Sequence, residues 1–246
     1  MISPRFIPLA AAFVASGAAL WTGLAQGGFA VFVFVLSGWL VSLCLHEFGH
    51  AIAAYRGGDT SVAAKGYLTL DPLAYTHPLL SLVLPALFLA MGGIGLPGGA
   101  VYIDHARLRS RGWESLVALA GPAMTALCLL LLALPFMLGL HEDAGAREFW
   151  AGVAFLAFLQ ASALLFNLLP IPGFDGFGAL AGVMSRQTQQ KAEQYAQPAF
   201  FILLLVIFVV PAAFQPFFQA VRWVIDALGV DLRLVGLGWR TFRFWA

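Results

Sequence analysis

Long apolar runs separated by short polar loops set the rhythm of this chain, and their lengths name the elements. A transmembrane helix needs about 20 mostly apolar residues. Stretches 6–25, 29–55, 113–140 and 150–169 meet that requirement, and a fifth, 198–216, follows the polar segment "SRQTQQKAEQYAQP". Residues 79–97 form a weaker sixth: they are short, interrupted by Pro85, and end in Gly92, Gly93 and Gly95. The tail, 217–246, mixes Trp, Phe and Arg and reads as interfacial helix. The pattern predicts an all-α polytopic membrane protein with about five to six transmembrane helices and a re-entrant or interfacial segment.

Positive charge orients these helices, because Lys and Arg near span ends favour the cytoplasmic side. Arg5 places the N-terminus inside, so the second span runs inward and delivers Arg56 and Lys65 to the cytoplasm. Arg107, Arg109 and Arg111 mark another cytoplasmic loop, "HEDAGARE" suits the outside, and Arg186 and Lys191 return to the cytoplasm. The scheme holds only if 79–97 does not fully cross. Arg222, Arg233, Arg240 and Arg243 then fall outside unless the tail turns back. The start "FIPLAAAFVASGAAL" has signal-peptide features, but its apolar run continues to Leu24, which favours an uncleaved first span.

Composition agrees with the pattern. Of the 246 residues 61% are hydrophobic and 10% charged, where a soluble domain carries about 25% charged residues. The net charge of +1, with no basic block, gives no reason to expect a nucleic-acid partner. Cys44 and Cys128 both lie in apolar segments and make no disulfide framework. A literal G-x-G-x-x-G at Gly93, Gly95 and Gly98 contains Pro97 and follows no strand of a βαβ unit, so it does not read as a nucleotide site.

Chemistry enters in the second span, at His46-Glu47-Phe48-Gly49-His50. Positions i and i+4 of a helix share a face, so two imidazoles can grip one metal ion. Glu47 is offset by one residue, near enough to reach a metal-activated water without competing as a ligand. This is the arrangement of zinc hydrolases, in which the metal acidifies a water and the carboxylate takes its proton. Such a short motif recurs by chance in soluble helices, but ionisable residues inside a membrane helix are costly and functional. Cys44 lies roughly 200° around the helix from His46 and reads as packing.

A catalytic zinc site needs a third protein ligand. The candidate is Asp175 in "FNLLPIPGFDGFGAL", the only acidic residue between Glu148 and Glu193. Pro170 and Pro172 break the helix there, Gly173 and Gly176 loosen the backbone, and Asn167 adds an amide to the same neighbourhood. His46, His50 and Asp175 all fall at carboxy-terminal ends of inward-running helices, so they can meet at one depth.

"HEFGH" followed by "NLLPIPGFDG" resembles the site-2 protease family of intramembrane zinc metalloproteases, in its short bacterial form without PDZ or CBS domains. Asn167, Pro170, Pro172, Asp175 and Gly176 match the second motif, with Phe174 where leucine is common. "VALAGPAMTAL" resembles the stretch opening the intervening span through Ala120, Gly121 and Pro122, with Thr125 in place of an asparagine many relatives have nearby and no role assigned to it. "LTLDPLAYTHP" and "GGAVYID" resemble loop pieces of short bacterial members; His77 stands where aspartate is frequent, and no function is carried onto it. The likeness covers about residues 29 to 185.

The resemblance implies a single membrane-embedded protease domain, 1–246, with its catalytic core at about 29–185. It implies one zinc ion per chain held by His46, His50 and Asp175, Glu47 as general base, and Asn167 holding or stabilising substrate. Substrates would be membrane-spanning proteins or signal-peptide remnants, cut in the bacterial cytoplasmic membrane with the site toward the cytoplasm. "GGAVYID", 98–104, reads equally as a short β element near the active site, able to pair with an unwound substrate, and as an ordinary membrane-surface loop. His105 and His141 read as solvated loop residues. Alternatives are a metal-ion or small-solute transporter using the same ligands, and an inactive relative that binds helices.

Overall fold

In the computed structural model, the described residues are 2–74, 101–141 and 145–245, with only the backbone described at Ala181, Phe208 and Pro211. The weak sixth segment, His77 and the G-x-G-x-x-G lie outside them. The described residues form helices α1 (Phe6–Thr22), α2 (Gly28–Gly57), α3 (Arg111–Met137), α4 (Arg147–Asn167), α5 (Asp175–Ala179), α6 (Arg186–Glu193), α7 (Ala196–Val209), α8 (Gln215–Ala227) and α9 (Leu232–Phe242), plus shorter turns. Among them there is no strand, and Val101 to Asp104 is irregular.

The helices α2, α3 and α4 are each long and apolar enough to cross a membrane, and α7 with α8 makes a fourth span if that pair, bent by 107°, counts as one. At 17 residues α1 is apolar but shorter. Leu116, Leu119, Leu127, Leu130, Leu131, Leu134 and Met137 leave an exposed apolar stripe on α3, which only lipid makes favourable. The protein is a membrane protein.

Small residues decide which helices come together. Without a hydrophobic drive between helices in lipid, packing depends on close backbone approach. The most buried span is α4, packed by α1, α2, α3, α8 and α9, and Ala151, Gly152, Ala154, Ala157 and Ala161 keep its surface low. A Cβ on Gly49 of α2 would stand 2.6 Å from the Ala120 carbonyl oxygen of α3. The α2 and α3 backbones therefore approach closely one residue away from His50.

After α4 the chain cannot continue as helix, because Pro170 and Pro172 supply no amide hydrogens. Gly173 turns it at φ 94°, a left-handed conformation that favours glycine. Gly176 then packs so tightly on the end of α4 that a Cβ there would reach within 2.6 Å of the Leu169 carbonyl oxygen. Phe174 anchors this corner beside Phe166, at 5.1 Å between ring centroids. The tail forms two helices: α8 packs on α4, and α9 lies across α2 and α4, with Gly238 against Ala151 and Phe242 fully buried.

Candidate metal centre

His46 and His50 are buried, one turn apart on α2, with their Nε2 atoms 3.1 Å apart. Their other nitrogens face outward to α3. His50 Nδ1 lies 2.8 Å from the Val117 carbonyl oxygen. A carbonyl only accepts, so Nδ1 carries the proton and Nε2 keeps its lone pair. His46 Nδ1 lies 2.9 Å from Thr125 Oγ1, which in turn is 3.4 Å from the Gly121 carbonyl oxygen. The hydroxyl donates to that carbonyl and accepts from His46, so His46 also presents a bare Nε2 inward. Pro122 loosens this turn of α3 by removing the amide that would bond to Ala118.

Asp175 closes the arrangement from α5. Its Oδ2 is 3.3 Å from His46 Nε2 and its Oδ1 is 3.3 Å from His50 Nε2. Two lone-pair nitrogens and both oxygens of a carboxylate, brought this close, repel unless a cation lies among them. A proton on one nitrogen would relieve one contact; a divalent ion satisfies both imidazoles and the carboxylate. Zinc with bonds of about 2.0–2.2 Å at tetrahedral angles holds its donors about 3.3–3.5 Å apart, close to the 3.1 Å between the nitrogens and the 3.3 Å from each nitrogen to its own carboxylate oxygen. The donor set fits zinc. A Cβ at Gly121 would overlap His50 Nε2 and stand 2.7 Å from His46 Nε2, so only glycine leaves this space open.

Glu47 is buried beside these ligand atoms, and its Oε2 has no hydrogen-bond partner among the described residues. Asn167, buried at the end of α4, lines the same cavity of about 610 Å³. Cys44 packs in an apolar cluster with Ala51, Ala54 and Val62, as expected. His105 is exposed in a short turn, as expected, and also lines the cavity. His141 departs from the solvated position expected: it is half-buried and packs on Phe136 at 4.9 Å, with its Nδ1 buried.

The segment at 101–104 is held over the site by polar contacts. Asp59 accepts from the Asp104 amide at 2.8 Å and from the Ser61 amide and hydroxyl at 3.0 and 2.6 Å. Burial pushes its carboxyl upward, but these donors outweigh it and hold the group below the usual carboxylate range. Lys65 adds a bond to the Tyr102 carbonyl oxygen at 3.0 Å. Val101 and Ile103 thereby form part of the cavity wall.

Sequence reasoning missed Thr125 and the two close-approach glycines. The available signal was spacing: Thr125 follows Gly121 by four residues, so both face α2.

No family model and no solved structure matches the chain. Curated relatives do. The protein named "Putative zinc metalloprotease Rip2" in Mycobacterium tuberculosis is 49% identical over 254 residues, covering 99% of this chain and 94% of the relative. Its namesake in Mycolicibacterium smegmatis is 46% identical with the same coverage. YwhC of Bacillus subtilis, also named a zinc metalloprotease, is 31% identical over 70% of this chain and 78% of its own length. With identity this high along almost its entire length, the chain belongs to the site-2 protease family.

Proposed function

We propose that this chain is an intramembrane zinc metalloprotease that hydrolyses peptide bonds of membrane-spanning substrates. The observation that carries the reading is the convergence of two buried imidazoles on the half-buried Asp175 carboxylate: His46 Nε2 and His50 Nε2 are 3.1 Å apart, and each is 3.3 Å from a different oxygen of Asp175. A zinc ion held by these residues supplies the Lewis acidity that activates water and polarises a scissile carbonyl. Glu47 takes the proton from the attacking water and returns it to the leaving amine. Its neighbours on the helix turn are the two histidines, which fixes it beside the reacting atoms. Asn167 holds the substrate backbone in the cavity.

The whole chain works as one membrane-embedded domain of five to six spans in the bacterial cytoplasmic membrane, with the site toward the cytoplasm. Arg56, Lys65, Arg109 and Arg111 adjoin the helix ends nearest the site, as the charge rule asks.

The test is Glu47→Gln in purified full-length protein. Zinc content and thermal unfolding should match the wild type while cleavage of a single-span substrate falls by at least about a hundredfold. Chelation should abolish wild-type cleavage, and added zinc should restore it. Undiminished cleavage by the variant would sink the mechanism; zinc flux into liposomes without cleavage would favour a transporter.

A further inference from the structure

The cavity at the metal centre has two unlike ends. Along α2 and α4 its wall includes Trp39, Leu43 and Ala163, with Ser42 and Gln160 bonded to each other at 2.6 Å. Past the metal residues, where α3 begins, its wall is Glu114 with Arg186, Gln189 and Glu193 of α6. An apolar chain fits the first wall; a polar flank fits the second.

Glu114 is buried, with a side chain 2% exposed, and its Oε1 lies 2.6 Å from Arg186 Nη2. The Gln189 amide approaches Oε2 at 3.4 Å. The pairing is unequal, since the Arg186 side chain is 55% exposed on a helix of eight residues. A buried carboxylate requires a cation, and removing one partner is far costlier than exchanging it. One guanidinium or ammonium can replace another here, because the outgoing arginine needs only to turn into solvent. The cation it yields to is also at hand: membrane helices carry Lys and Arg on their cytoplasmic flanks.

We infer that Glu114 is a specificity-determining residue that receives a lysine or arginine from the polar flank of the substrate, and that Arg186 fills this subsite between substrates. The inference rests on the protease reading for the identity of the occupant. Glu193 adds a second negative charge on the same wall. The subsite therefore favours a cation over a neutral or acidic flank residue.

The experiment measures binding, so that it stands apart from turnover. Fluorescent single-span peptides differing only in one flank residue (Arg, Lys, Gln or Glu) are titrated with full-length protein in nanodiscs. Wild type should bind the Arg and Lys peptides about tenfold more tightly than the Gln peptide, the scale of a partly desolvated charge pair. Glu114→Gln should erase that preference. Arg186→Gln should widen it, because the resident competitor is gone, and it decides the matter alone if Glu114→Gln does not fold. Equal affinity for all four peptides, or a preference unchanged in the variants, overturns the subsite. A preference that behaves as stated in a protein that hydrolyses none of the peptides leaves the subsite intact and overturns the protease reading.

Discussion

At His46 the choice of bare nitrogen falls to a hydroxyl on another helix. Thr125 accepts from Nδ1 and passes its own proton toward the Gly121 carbonyl oxygen, so one side chain fixes both tautomer and ring angle. Outer-shell partners of this kind are worth about 10–100-fold in metal affinity. Thr125→Val keeps the shape and removes the hydroxyl, so zinc affinity measured by chelator competition should fall in that range, and Thr125→Ser should restore it. A Val variant with wild-type affinity would show the contact to be packing alone. At this scale the motif residues were readable because helical spacing alone puts His46 and His50 on one face. Asp175 was readable because Pro170, Pro172 and an isolated acid mark a break at membrane depth. Thr125 was not, because its role depends on the rotation of α3 against α2, which no local pattern encodes.

Among elements, the α2–α3 crossing carries the site, and its closeness depends on Gly49 and Gly121. A methyl at Gly121 must push against both imidazoles, which are pinned by their Nδ1 bonds. Gly121→Ala should therefore lower stability by about 1–3 kcal/mol, the usual cost of overpacking, and should lower zinc content as well. Gly236→Ala is the control, because a Cβ there meets nothing within 4 Å; equal effects in the two would remove the crossing from the account. The 101–104 segment offers a second test through Asp59. Its folded-state pKa is depressed, so the stability it contributes is present above the ordinary Asp value near 4 and is lost as pH falls through the lower folded value. Asp59→Ala should cost about 1–3 kcal/mol at neutral pH, and the gap to wild type in unfolding experiments should narrow as pH falls below 4. The apolar blocks had placed α2, α3 and α4 to within a few residues, since length and hydropathy are local properties. They overestimated the first block, 6–25, because α1 stops at Thr22, where Gly23 turns the chain at φ 73°.

For the whole molecule, the arrangement of the tail bears on orientation. The metal residues sit where α2 and α4 end and α3 begins. The opposite end holds the starts of α2 and α4, and α9 lies there: Gly28 faces Phe244 and Thr241, and Gly238 faces Ala151. Arg233, Arg240 and Arg243 are thus separated from Arg186 by the length of the spans. The charge pattern had left this tail unresolved, because four arginines outside conflict with the rule that places the loops. The packing shows what kind of element carries three of those arginines. Val235, Gly238 and Phe242 bury one face of α9, while Leu232, Arg233, Trp239 and Arg240 are exposed on it, the make-up of a helix lying at a membrane surface. If the site faces the cytoplasm, α9 lies on the outer surface. Single cysteines at Arg233 and Arg186, in a chain with Cys44 and Cys128 replaced by alanine, separate the two ends. A membrane-impermeant maleimide added to intact cells should label Arg233→Cys and spare Arg186→Cys, and permeabilised cells should label both. Labelling of Arg186→Cys alone in intact cells would invert the molecule, putting the catalytic end outside and the subsite at Glu114 beyond reach of cytoplasmic flanks.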